Sequence, residues 1–218
     1  MTQTPNARRP LKTRDRGWAK ALAQFLVQRR VSPNLISIFS IVFALAAAAA
    51  FYFASPSQPL RYIQMLVIAA VAIQGRLLCN MLDGMVAVEG GRQTKTGEIF
   101  NDLPDRIADS IILVQAGYTV HSFPFGMELG WAAALLAVFT AYVRMMGGAA
   151  GLKQSFMGPM AKPHRMAVLT AACVLSLFEP SFLASGTLLW VALIVIVLGS
   201  VVTIVLRTIK IVRELEAR

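Results

Sequence analysis

The chain has 218 residues, of which 56% are hydrophobic and 15% charged, against the roughly 25% charged of an ordinary soluble domain. Its 21 Lys and Arg outnumber 11 Asp and Glu, for a formal net charge of +10. This balance excludes a soluble globular enzyme and predicts an all-α polytopic membrane protein. No nucleic-acid partner is expected, because the basic residues are spread over every loop of one membrane face, where anionic lipid accounts for them.

Residues 1–13 are polar and contain proline, and read as a disordered cytoplasmic tail. Residues 14–218 read as a single membrane-embedded domain. No cleavable secretory signal is expected, since the first 30 residues are basic and lack an apolar core ending in small residues. The stretch RDRGWAKALAQFLVQRR (14–30) sets Trp18, Leu22, Phe25 and Leu26 at helical spacing between basic residues, which predicts an interfacial amphipathic helix on the cytoplasmic face. VSPN (31–34) then breaks it, because proline disfavours helix at the preceding residue.

A hydrocarbon core ~30 Å thick takes about 20 apolar residues at a rise of ~1.5 Å each. Six transmembrane helices are predicted, at about 34–54, 62–82, 106–122, 127–147, 166–183 and 186–206. The outer connections, SPSQP (55–59), HSFPF (121–125) and the turn near Glu179, are short. The connections at 83–105 and 148–165 are longer and hold most of the polar chemistry. With the N-terminus inside, only Arg61 falls in an outer loop. The positive-inside rule thus predicts cytoplasmic termini in a bacterial-type inner membrane. Cys79 and Cys173 lie in apolar helices without metal-ligand spacing and read as small core residues.

The acids crowd into NMLDGMVAVEGGRQTKTGEIFNDLPDRIAD (80–109). At ~100° per residue, Arg76, Asn80, Asp83 and Ala87 share one face of the second span, and Gly84 permits close approach of a backbone or ligand. A further helix is expected to begin near Glu98, with Asn101, Asp102, Asp105 and Asp109 on an arc of about 100°. Clustered carboxylates repel unless a cation lies among them, and oxygen ligands at this density suit Mg²⁺ or Mn²⁺.

The spacing Asn80-x2-Asp83-Gly84-x2-Ala87-Val88-x8-Gly97-x3-Asn101-x3-Asp105 resembles the signature of the CDP-alcohol phosphotransferase (CDP-alcohol phosphatidyltransferase) family, D-x2-D-G-x2-A-R-x8-G-x3-D-x3-D. Every interval matches. The resemblance implies a metal-dependent enzyme of phospholipid biosynthesis that passes a phosphatidyl group from a CDP-linked lipid, such as CDP-diacylglycerol, to a hydroxyl of an alcohol acceptor with release of CMP. It implies metal ligands at Asn80, Asp83, Asn101 and Asp105, with Asp105 also the catalytic base. A nucleotide surface falls on Asp83, Gly84, Ala87 and Gly97, Mg²⁺ or Mn²⁺ is the cofactor, membrane lipids surround the site, and a homodimer is expected.

Three positions depart from the signature: Asn80 and Asn101 stand where the family has acids, and Val88 where it has arginine. Amide oxygens ligate without the charge that concentrates an ion. Asp102, Asp109, Glu89 or Glu98 could restore negative charge, and Arg76, Arg92 or Lys95 the positive charge missing at Val88. Arg76 is expected to snorkel or pair with Asp83 more than to contact phosphate. Lys162 and Arg165, beside His164 at the entry to the fifth span, are candidates for binding an anionic acceptor or, equally, ordinary topological charges. The rival readings are a catalytically silent relative that binds a nucleotide-lipid or a protein, and a small transporter. The transporter is disfavoured by the absence of a repeat and by a polar cluster at one membrane face.

Overall fold

The computed structural model describes residues 16–91, 97–179 and 182–218, with side chains at 97, 98, 100 and 101 left aside. Within them lie seven α-helices and no strand: α1 Gly17–Gln28, α2 Pro33–Phe53, α3 Pro59–Glu89, α4 Gly97–Thr119, α5 Gly126–Ala149, α6 Lys162–Leu175 and α7 Thr187–Glu216. The expected tail, 1–13, lies outside the described residues, as do Arg92 and Lys95.

α1 is the amphipathic helix that its spacing predicts. Ala19 and Ala23 are buried against Met81, Leu82, Met85 and Val86 of α3, while Trp18 and Phe25 point outward. It ends before VSPN, where Ser32 accepts a hydrogen bond from the Leu35 N–H and Pro33 opens α2. Proline is preorganised for a helix's first turn, where its missing N–H costs nothing.

Four helices, α2, α3, α5 and α7, are long and apolar enough to cross a membrane by length and composition, where six spans are expected from the sequence. The shortfall has two causes. The first half of α4 carries Asp102, Asp105, Arg106 and Asp109, too many charges for an apolar span. α6 has only 14 residues, and at ~1.5 Å each it covers about 21 Å of a ~30 Å core. The expected span 166–183 therefore stops short at Leu175. Beyond it the chain turns back so that the buried Glu179 carboxylate accepts hydrogen bonds from the backbone N–H groups of Gly186 and Leu188, at the start of α7. Those N–H groups have no partner inside their own helix, and a carboxylate complements the positive end of the helix dipole.

Large apolar side chains cover the outside, among them Ile38, Phe39, Val42 and Leu45 on α2 and Val195, Leu198, Val202 and Val205 on α7. Such a surface is an aggregation hazard in water and an ordinary one in lipid. The inner faces are built from small residues. A Cβ added at Gly117 of α4 would stand 2.7 Å from the Gly130 Cα of α5, so these two helices meet backbone to backbone.

α2 packs against both α3 and α4, α4 against α5, and α6 against α3 and α7. Alternation of chain direction brings the end of α3, the start of α4, the end of α5, the start of α6 and the second half of α7 to one end of the bundle. The polar residues gather there.

Candidate active site

Asp105 and Asp109 are one helical turn apart on α4 and both are buried. Arg76 of α3, with no solvent exposure, sets its Nη2 2.7 Å from Asp109 Oδ1 and 3.3 Å from Asp105 Oδ1. The same nitrogen donates to the Asp105 carbonyl oxygen at 3.2 Å. From the other side, the Lys162 ammonium, in the first turn of α6, pairs with Asp105 Oδ2. Arg165 reaches Asp109 Oδ2 at 3.2 Å and donates to Thr140 Oγ1 at 3.1 Å and the Met160 carbonyl at 2.7 Å. The result is an alternating chain of charges, Lys162, Asp105, Arg76, Asp109, Arg165, which ties α3, α4 and α6 together. Alternation is what makes burial tolerable, since an unpaired charge in such a place costs several kcal/mol.

A second group lies toward the rim. Asp102 pairs with Arg144 of α5 and, at 3.7 Å, with Arg106 on its own helix. Arg207 of α7 is buried and donates to the carbonyl oxygens of Met157 and Thr140. Between the two groups is a cavity of about 190 Å³, lined by Asn80, Asp102, Asp105, Arg144, Lys162 and Arg207 among others. The Asn80 amide nitrogen is buried without a hydrogen-bond partner.

Asp83 stands apart from that wall. It is buried at the interface with α2, where the Ser37 hydroxyl donates to its Oδ2 at 2.7 Å. It remains close enough to Asp105 and Lys162 for their charges to act on it. Gly84 and Ala87 follow on α3, half-buried, and Gly97 opens α4. The Asn101 and Glu98 side chains and Arg92 lie outside the described residues.

The sequence has Arg76 snorkel or pair with Asp83, whereas the structure sets its guanidinium against Asp105 and Asp109. Arg76 and Asp83 share a helix face but are seven residues apart, about 10.5 Å along the axis. The α4 acids present themselves much nearer. Asp109, a candidate extra ligand, is committed to two guanidinium groups. Glu89 is exposed at the end of α3, away from the cavity wall. Arg165 does line the cavity, although its side chain is largely spent on Asp109, Thr140 and Met160.

Ser37, Thr140, Arg144, Phe156 and Arg207 were not among the sequence candidates. A signal was present for three of them. Ser200, Thr203 and Arg207 form a buried polar stripe at helical spacing on the otherwise apolar α7, and Thr140 and Arg144 are one turn apart on α5. Nothing in the sequence singles out Ser37 as the partner of Asp83, 46 residues away.

The family model for CDP-alcohol phosphatidyltransferases matches residues 30–213, which runs from the α1–α2 break to the last turn of α7. The chain belongs to this family. As a CDP-alcohol phosphatidyltransferase it is an enzyme of phospholipid biosynthesis that moves a phosphatidyl group from a CDP-lipid to an alcohol. It is 25% identical over 198 residues to a phosphatidylinositol phosphate synthase of Streptomyces avermitilis, covering 88% of this chain and 77% of that one. It is 27% identical over 183 residues to an archaetidylinositol phosphate synthase of Aeropyrum pernix, covering 81% and 86%. Its fold is similar to that of the Mycobacterium tuberculosis phosphatidylinositol phosphate synthase. With CDP-DAG bound, that structure gives a TM-score of 0.69 at 21% identity over 88% of this chain and 92% of that one. With manganese and citrate, it gives 0.70 at 20% identity over 88% of each.

Proposed function

We propose that this phosphatidyltransferase uses a CDP-diacylglycerol-like donor and a phosphorylated polyol, of the inositol phosphate class, as acceptor. The observation that carries the reading is the cavity in which the Asp105 carboxylate stands beside Lys162, Arg144, Arg165 and Arg207. A neutral alcohol has no use for four cations around one small cavity, whereas an anionic acceptor is held and oriented by them. The names of the relatives, both inositol phosphate lipid synthases, support the same class.

Asp105 is the proposed base. It takes the proton of the acceptor hydroxyl as that oxygen attacks the phosphorus bearing the diacylglycerol. The bond from this phosphorus to the bridging oxygen breaks, and CMP leaves with the electron pair. Arg76 and Lys162 hold the carboxylate at a fixed angle, as a positioned base requires. Arg144 and Arg207 are placed to grip the acceptor phosphate at the cavity's far wall.

A divalent ion, Mg²⁺ or Mn²⁺, fits the residues present. Asn80 and Asp105 bring oxygen donors to the same wall, and Asp83 is near enough to add its charge. Asn80, Asp83, Asn101 and Asp105 would hold it, where it supplies Lewis-acid stabilisation of the donor's phosphate oxygens. Gly84, Ala87 and Gly97 are the proposed nucleotide surface.

In the membrane we place six crossings, with α4 and α6 as the two that composition alone does not qualify, and α1 in the interface. Both termini and the cavity face the cytoplasm, in one domain from residue 14 onward and in a homodimer. α4 qualifies as a crossing because its charges meet partners inside the protein rather than lipid, and α6 crosses together with the turn after Leu175 that carries Glu179 to the start of α7.

CMP release from CDP-diacylglycerol by the purified protein, with Mg²⁺ or Mn²⁺ and a panel of alcohols, tests the reading. Release is expected with inositol phosphate or glycerol 3-phosphate and not with free inositol or serine. Release with the unphosphorylated alcohols alone would overturn the acceptor class. No release with any would leave a nucleotide-lipid-binding protein.

A further inference from the structure

We propose that the site takes a single divalent ion, and that Arg76 and Lys162 supply the positive charge a second ion would bring. The inference rests on the transferase reading above and concerns how the donor's pyrophosphate is neutralised.

A two-ion phosphoryl-transfer site clamps both sides of the reacting phosphorus, and each ion is concentrated there by carboxylates. This chain has carboxylates at two of the four motif positions, Asp83 and Asp105, and uncharged amides at Asn80 and Asn101. Asp105 is in turn already neutralised. One of its oxygens faces Arg76 at 3.3 Å and the other faces Lys162. A second ion on Asp105 would have to sit against both of these cations.

Arg76 cannot swing away to make room. Its side chain is buried and its Nη2 is also anchored at 2.7 Å to Asp109, which Arg165 holds from the far side. Arg76 therefore stands behind the cavity wall as a fixed positive charge on Asp105, while the Lys162 ammonium lines the cavity itself and can donate to a phosphate there.

The charge balance points the same way. Lining the cavity are Asp102, Asp105, Arg106, Arg144, Lys162, Arg165 and Arg207, and behind its wall lie Asp83, Asp109 and Arg76, in all four described carboxylates and six cations, a formal +2. One divalent ion raises this to about +4, which matches a pyrophosphate diester and a phosphomonoester at about −2 each. A second ion would leave a surplus that nothing among the described residues offsets.

The test is a count of bound Mn²⁺ by electron paramagnetic resonance on the intact protein in detergent with CMP present, alongside CMP retention by equilibrium dialysis. Wild type is expected to hold roughly one Mn²⁺ per chain, and Asn80→Asp/Asn101→Asp/Lys162→Gln roughly two, as carboxylates return and a cation leaves. Two ions in wild type, or none, would overturn the proposal. So would a triple variant that still holds one. Arg76 is left in place because its removal endangers the fold. CMP retained at any ion count keeps the transferase reading intact, whereas loss of CMP binding with every protein removes that reading and the proposal with it.

Discussion

Arg76 and Asp109 meet at 2.7 Å with both side chains shut off from solvent, one on α3 and the other on α4. Neither group is at a motif position, and the pair lies directly behind the carboxylate proposed to do the chemistry. Truncating one partner of such a pair leaves an uncompensated buried charge. Arg76→Met or Asp109→Asn is therefore expected to cost about 3–5 kcal/mol of stability. The double variant should lose less than the two single losses added together. Thermal unfolding in detergent measures this, and unchanged midpoints would mean that water reaches the pair.

Asp105 is expected to matter for turnover. Asp105→Asn should lower kcat by about 10²–10⁴-fold, the usual contribution of a positioned base. CMP binding, measured by dialysis, should persist. A variant with near-normal kcat would move the proton acceptor elsewhere, with Asp102, in the same cavity, next to be tried.

Arg144 separates donor from acceptor. Arg144→Gln should raise the apparent KM for the phosphorylated alcohol by about tenfold, equivalent to ~1.4 kcal/mol, with a much smaller change for the CDP-lipid. Steady-state kinetics with each substrate varied in turn gives the answer. Equal effects on both constants would return Arg144 to the topological role that its place beside a membrane span allows. Arg165 is unsuited to this comparison, because its replacement also strips Asp109 of a partner.

Glu179 offers a control at the opposite end of the bundle. Glu179→Ala removes the acceptor for two backbone N–H groups at the start of α7 and should cost about 1–2 kcal/mol. Melting temperature should fall while both KM values stay put. A changed KM would mean that the two ends of the bundle are coupled.

Much of the architecture is legible in the sequence because it depends on local pattern. α1, the break at Pro33, the apolar runs of α2, α5 and α7, and the helical phase that puts Asp105 and Asp109 on one face all follow from spacing within a few residues. The family is legible for the same reason, since its motif is a set of intervals on two adjacent helices. What spacing does not carry is choice of partner. Arg76 selects acids 29 and 33 residues away over Asp83 on its own helix, and that choice is made by how α3 and α4 lean on α2. The end of α6 at Leu175 is equally hidden, because it depends on where Glu179 must be to reach Gly186. Arg207 looks like one more flanking charge until the stripe it shares with Ser200 and Thr203 is followed along α7.

The alternating charges of Lys162, Asp105, Arg76, Asp109 and Arg165 also set a timetable for biosynthesis. In a chain entering lipid as proposed, α4 arrives with Asp105 and Asp109, each costing ~2.5–3.5 kcal/mol at mid-bilayer if alone. Arg76 has been translated by then and can meet them as α3 and α4 leave the insertion machinery together. Lys162 and Arg165 emerge some 50 residues later, so Asp109 keeps one oxygen unanswered until α6 docks. A nascent chain stopped between α5 and α6 would carry every motif residue yet lack a settled site, and such truncated chains are where quality-control proteases should find their grip.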